Sequence, residues 1–129
     1  MIVVDTSVLV DSFTGNRRSF SSLEALIEIG DRITVTSVVF YEWLRGARVR
    51  DELALQEELF PTESVVPFDA ADAARAADIY KRVRSPRGRE IDLAIAAMAL
   101  NRDAAVWTLN PIDFGDIPNL RLIRRHPVS

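Results

Sequence analysis

A chain of 129 residues, 48% of them hydrophobic and 27% charged, is long enough to enclose one core and too apolar to be a disordered segment. With no cysteine, disulfides, thiolate metal sites and cysteine nucleophiles are all excluded. Sixteen basic residues against nineteen acidic ones leave a formal charge of −3, which excludes a broadly basic surface and restricts any nucleic-acid contact to a local patch.

In chain order, the β-branched run Ile2-Val3-Val4 predicts a short buried strand. It is too short for a signal peptide or a membrane span, so a cytoplasmic protein without membrane contact is expected. A first helical turn is expected from about Ser7, with a break at Gly15-Asn16, and a helix over residues 19–29 before Gly30-Asp31. Residues 33–36 predict the next strand. Ser37 is expected to cap a helix over 38–48, followed by another over 51–60 that stops at Pro61-Thr62. Residues 65–68 predict a third strand. Asp69, with an acid three residues later at Asp72, marks the cap of a helix over 70–84. Beyond the Ser85-Pro86-Arg87-Gly88 break, residues 90–102 read as a helix apolar on all sides except at Asp92, hence buried. Two further strands, 105–108 and 120–123, flank the Asn110-Pro111 turn. Strands alternating with helices, with no linker or repeat between them, predict a single α/β domain over residues 1–129 with a parallel sheet covered on both faces.

In such a sheet ligands collect beyond the carboxyl ends of the strands, and acids stand in those places. Asp5 directly follows the first strand; Glu42 lies one turn into the helix after the second; Asp92 is in the first turn of the buried helix; Asp113 follows the Asn110-Pro111 turn. Each also has an ordinary reading, as a turn acid, a solvated helix face or a partner for a helix dipole. Gathered at one sheet edge, however, these carboxylates would repel one another unless a cation lay among them. Oxygen donors without cysteine, and a lone histidine near the C-terminus, point to Mg2+, with Mn2+ able to substitute, and such an ion suits phosphodiester hydrolysis. Fifteen of the sixteen basic residues are arginine, the better-shaped group for phosphate. Arg45, Arg48, Arg87 and Arg89 stand nearest the acids in sequence and are candidate RNA-binding residues.

The segments that carry these acids resemble PIN-domain nucleases, and among them the VapC-type toxins of type II toxin–antitoxin systems. Ile2-Val3-Val4-Asp5-Thr6-Ser7-Val8-Leu9-Val10 is similar to the family's first-acid strand. The stretch from Ser37 to Gly46 containing Glu42 resembles the second-acid helix, Arg89-Glu90-Ile91-Asp92-Leu93-Ala94-Ile95-Ala96-Ala97 the third-acid segment, and Thr108-Leu109-Asn110-Pro111-Ile112-Asp113-Phe114 the fourth. The resemblance spans nearly the whole chain. It implies a three-layer α/β/α sandwich, Mg2+- or Mn2+-dependent cleavage of single-stranded or loop RNA, homodimerisation, and inhibition by a cognate VapB-like antitoxin. Asp5 and Asp92 are then the principal metal ligands, and Glu42 binds metal through water or orients the attacking water. Ser7, Thr108 and Asn110 would support the ligands from behind. At the fourth position Asn110 stands where some members carry Asp, which leaves Asp113 as the nearest carboxylate. The competing expectation is a catalytically silent PIN-like module that binds RNA or protein.

Overall fold

The computed structural model describes residues 1–123 of the chain, so the histidine, His126, lies outside the described residues. Four short parallel strands form one sheet in the order β2-β1-β3-β4: β1 (Ile2–Val4), β2 (Ile33–Thr34), β3 (Ala105–Trp107) and β4 (Leu122–Ile123). Among the described residues six α-helices flank it: α1 (Thr6–Phe13), α2 (Phe20–Glu28), α3 (Ser37–Arg45), α4 (Arg50–Leu59), α5 (Ala70–Arg82) and α6 (Glu90–Asn101). This is the expected α/β/α sandwich with a parallel sheet.

The centre of the sheet determines where chemistry can sit. β1 and β3, far apart in sequence, pair in register with Ile2 opposite Ala105, Val3 opposite Val106 and Val4 opposite Trp107. Both strands are enclosed, and their β-branched side chains fill the core on either face, as parallel strands require. The ladder runs one bond further, Asp5 N–H donating to the Trp107 carbonyl at 2.8 Å. Asp5 and Thr108 therefore emerge side by side at the carboxyl edge.

The helices are anchored by the residues that pack them. Phe13 at the end of α1 meets Trp43 of α3 edge-on at 5.7 Å and Phe60 at 6.3 Å. Helix α6 buries Leu93 and the whole run from Ile95 to Ala99, as its all-round apolar sequence predicts. Asp69 caps α5 by accepting from Asp72 N–H, and the Asp72 carboxylate returns a bond to Asp69 N–H. Asp72, only 1% exposed, also receives Arg102 and Asn101 and so bolts α5 to α6.

Three expectations are corrected. The strand at 65–68 shrinks to one parallel bridge between Thr36 and Val66, because the partner chain turns into α3 at Ser37 and the next inward N–H, that of Phe68, donates to the Ser37 hydroxyl instead of a strand carbonyl. The cap of α3 is Thr36, whose hydroxyl accepts from Val39 N–H, while the Ser37 hydroxyl is engaged with Phe68 N–H. Helix α3 ends at Arg45 rather than 48: the chain leaves at Gly46, and Arg48 folds back to donate to the Trp43 carbonyl and lie 4.2 Å over its ring. A Cβ at Gly46 would come within 2.7 Å of that guanidinium, so glycine gives Arg48 its room.

Candidate active site

Asp5 is the most constrained of the acids. It caps α1 through Oδ1, which accepts from Thr6 N–H at 2.8 Å. Its Oδ2 accepts from the Ser7 hydroxyl at 2.9 Å and the Thr108 hydroxyl at 2.8 Å. These hydroxyls are themselves held, Ser7 Oγ accepting from Leu109 N–H and Thr108 Oγ1 from Asn110 N–H. The side chain is 6% exposed and aimed by a complete set of donors, the property of a preorganised ligand. Ser7 and Thr108 thus occupy supporting positions behind Asp5.

Glu42 is carried to the same edge by α3, which packs against α1. The Thr6 hydroxyl donates to its Oε1 at 2.6 Å, and Arg45 reaches Oε2 at 3.2 Å. The Asp5-Thr6-Ser7 triplet therefore serves two acids: Ser7 holds the first and Thr6 the second. Thr6 escaped the sequence reading because its partner lies 36 residues away.

Asp92, half-buried in the first turn of α6, shows that the acids act on one another. Its carboxyl is pushed up to about 6 by burial first, then by the charges of Asp5, Asp113 and Glu42, with Arg89 opposing. Asp113 belongs to the 3-10 turn Pro111–Phe114 and is exposed. That turn is clamped by Arg89, whose guanidinium takes both oxygens of Asp116 at 2.6 and 3.0 Å and the Asp113 carbonyl at 3.1 Å.

A cavity of about 710 Å3 joins Asp5, Glu42, Asp92, Asp113, Asn110 and Ser7. Both candidates for the fourth position face it. The arginines chosen by nearness in sequence do not line it: Arg45 pairs with Glu42, Arg48 covers Trp43, Arg89 holds Asp116, and Arg87 is exposed elsewhere. The basic residue that does line it is Arg18, in the loop after α1. No local signal marked Arg18, because α1 and the turn at Gly15 bring it back only in three dimensions.

Carboxylate, amide and hydroxyl oxygens gathered around a carboxyl raised to about 6 are the donors a hard divalent cation takes. Among the described residues, no group of three or more His, Cys, Asp or Glu side chains is arranged to hold an ion by itself. The fixed Asp5, the half-buried Asp92 and the exposed Asp113 around one open cavity fit an ion that keeps several waters and takes one or two carboxylates directly.

Residues 2–119 match the PIN domain. Ribonuclease VapC19 of Mycobacterium tuberculosis strain CDC 1551 is 34% identical over 124 residues, spanning 94% of this chain and 98% of that protein. In structure, DNA-bound VapBC from Salmonella typhimurium superposes with a TM-score of 0.74 at 22% identity, over 95% of this chain and 96% of that one. VapBC-5 of Mycobacterium tuberculosis, a member of the VapBC family of toxin–antitoxin systems, gives a TM-score of 0.64 at 27% identity, over 95% and 97%.

Proposed function

Because the chain belongs to the PIN-domain family and is related along its length to a VapC ribonuclease, we propose that it is a divalent-metal-dependent endoribonuclease, the toxin of a VapBC-type pair. The observation that carries this reading is the convergence of Asp5, Glu42, Asp92 and Asp113 on one cavity, with Asp92 raised to about 6 by burial and by the other three. Mutually repelling acids at a parallel sheet's carboxyl edge are stabilised by a cation and suited to hydrolysis of a phosphodiester.

Asp5 and Asp92 would hold Mg2+ or Mn2+, with Asp113 or the Asn110 carbonyl beside them. When bound, the ion supplies Lewis acidity toward a phosphoryl oxygen and lowers the pKa of water. The chain's own residues do the positioning. Ser7 and Thr108 keep Asp5 aimed, and Thr6 and Arg45 fix Glu42 so that its carboxylate orients the attacking water on the RNA phosphate. The same acids attract a guanidinium in the absence of metal, and a basic segment of a VapB-like antitoxin is the proposed inhibitor. A homodimer would cover Tyr41, Phe68 and Tyr80, which stand exposed beside apolar grooves flanking α6.

The test is incubation of purified protein with single-stranded and structured RNAs in Mg2+, Mn2+ or EDTA. Cleavage with either ion and none in EDTA is expected. Cleavage indifferent to EDTA overturns the metal-dependent mechanism, and tight RNA binding with no cleavage under any condition leaves the silent module in its place.

A further inference from the structure

We infer that Arg18 forms a phosphate subsite on the cavity wall built by the end of α1 and the loop behind it, gripping the backbone of single-stranded RNA beside the bond to be cut. The inference rests on the nuclease reading and adds to it the residue that receives the substrate.

Past the acids, the cavity wall is built by the end of α1 and the loop behind it, with Val10, Asp11, Thr14, Asn16 and Arg18. Among the lining residues Arg18 alone is basic, facing a cavity that also contains five carboxylates. A polyanion entering so negative a space needs a cationic contact clear of the metal, and guanidinium has the donor geometry for a phosphate.

The Arg18 side chain is oriented yet available. Its Nε and Nη2 both approach Asp11 Oδ1 at 3.2 Å, which leaves the Nη1 hydrogens and one on Nη2 unused by that pair. Asp11 is itself fixed, because Ser19 Oγ donates to its other oxygen at 2.6 Å. The Arg18 side chain is 76% exposed, and an exposed ion pair is weak, so a phosphate can engage the guanidinium at little cost. The cavity has the size of pockets that enclose small ligands, room for the scissile phosphate and a neighbouring nucleotide.

The experiment has two arms. Binding of a labelled single-stranded RNA is followed by fluorescence anisotropy across a salt series, in an Asp92→Asn background without divalent metal, with and without Arg18→Ala. Steady-state cleavage is then compared for the native chain, Arg18→Ala and Arg18→Lys. Arg18→Ala is expected to weaken binding about tenfold and to reduce the slope of log K against log salt by about 0.7, the loss of one phosphate contact on a single strand. The cleavage defect should lie in KM rather than kcat, and Arg18→Lys should restore the salt slope but only part of the affinity. Unchanged affinity and salt slope in Arg18→Ala overturn the subsite. Absence of cleavage by the native chain overturns the nuclease reading instead, and the binding arm still decides Arg18.

Discussion

Two aspartates that belong to one cavity are held by opposite physics. Asp5 satisfies donors on both oxygens, whereas Asp92 is penalised when charged. Asn in place of Asp5 keeps the shape but turns an NH2 toward N–H or O–H groups that need an acceptor. Asp5→Asn should therefore abolish cleavage and also cost about 1–2 kcal/mol of stability. Asp92→Asn should abolish cleavage equally and raise the stability of the metal-free protein by about 1–2 kcal/mol, since it removes a buried, repelled charge. The pH dependence follows. The folded chain retains the Asp92 proton to about pH 6, while an unfolded chain loses it near 4, so ionisation opposes folding. Native stability should thus decline relative to Asp92→Asn as pH rises from about 4 to 6, with the gap constant above that. Urea melts in EDTA across this range measure it; a gap that does not vary with pH refutes the assigned cause. At this scale the candidate acids were legible because Asp5 follows a strand end, Asp92 opens a helix, Glu42 lies a turn into the helix after a strand and Asp113 follows the Asn110-Pro111 turn, positions set by local pattern. Thr6 and Arg18 were not, because their roles depend on contacts and a cavity wall that only the assembled sheet creates.

Among the elements, the 3-10 turn Pro111–Phe114 decides how the fourth acid is presented. Arg89, at the start of α6, binds the Asp113 backbone and Asp116, so the turn is fixed relative to Asp92 by a charged clamp as well as by the buried Phe114. Asp113 contributes charge to the cavity and Asn110 an amide only. Asp113→Asn should raise the Mg2+ concentration needed for half-maximal cleavage, by the order of 10-fold, and Asn110→Asp should leave it unchanged or lower it. The opposite ranking in a Mg2+ titration would assign the position to Asn110. The elements themselves were readable wherever a side chain acts on its own backbone, as at Asp69, or an apolar face is unbroken, as in α6. They were misread where distant contacts decide: Val65-Val66 favours a strand, but its partner chain turns into α3 at Ser37, and Thr36 and Ser37 both offer a capping oxygen while Phe68 N–H takes the second.

In the molecule as a whole, stability and chemistry are placed apart. Burial raises the Asp72 carboxyl, but the bonds from Arg102, Asn101 and Asp69 N–H outweigh it and hold it at about 2. This depressed value stabilises the fold above about pH 4, and the contribution is lost as pH falls toward 2. Asp72→Ala should cost about 3 kcal/mol, because the half-buried Arg102 loses its carboxylate partner and α5 loses its reciprocal cap, while cleavage per folded molecule stays unchanged. Calorimetry set beside active-site titration would separate the two effects, and a loss of activity without loss of stability would contradict this division. The pairing of Asp5 with Thr108 has a temporal consequence. The two residues are 103 positions apart, so during synthesis the first acid leaves the ribosome long before the strand that aims it. Until β3 slides in beside β1, Asp5 lacks the Thr108 hydroxyl, and the loop bearing Asn110 and Asp113 has no place to dock. The order of translation therefore sets the order of assembly, and the cavity edge at Asp5 is completed only after a residue made 103 positions later has come off the ribosome.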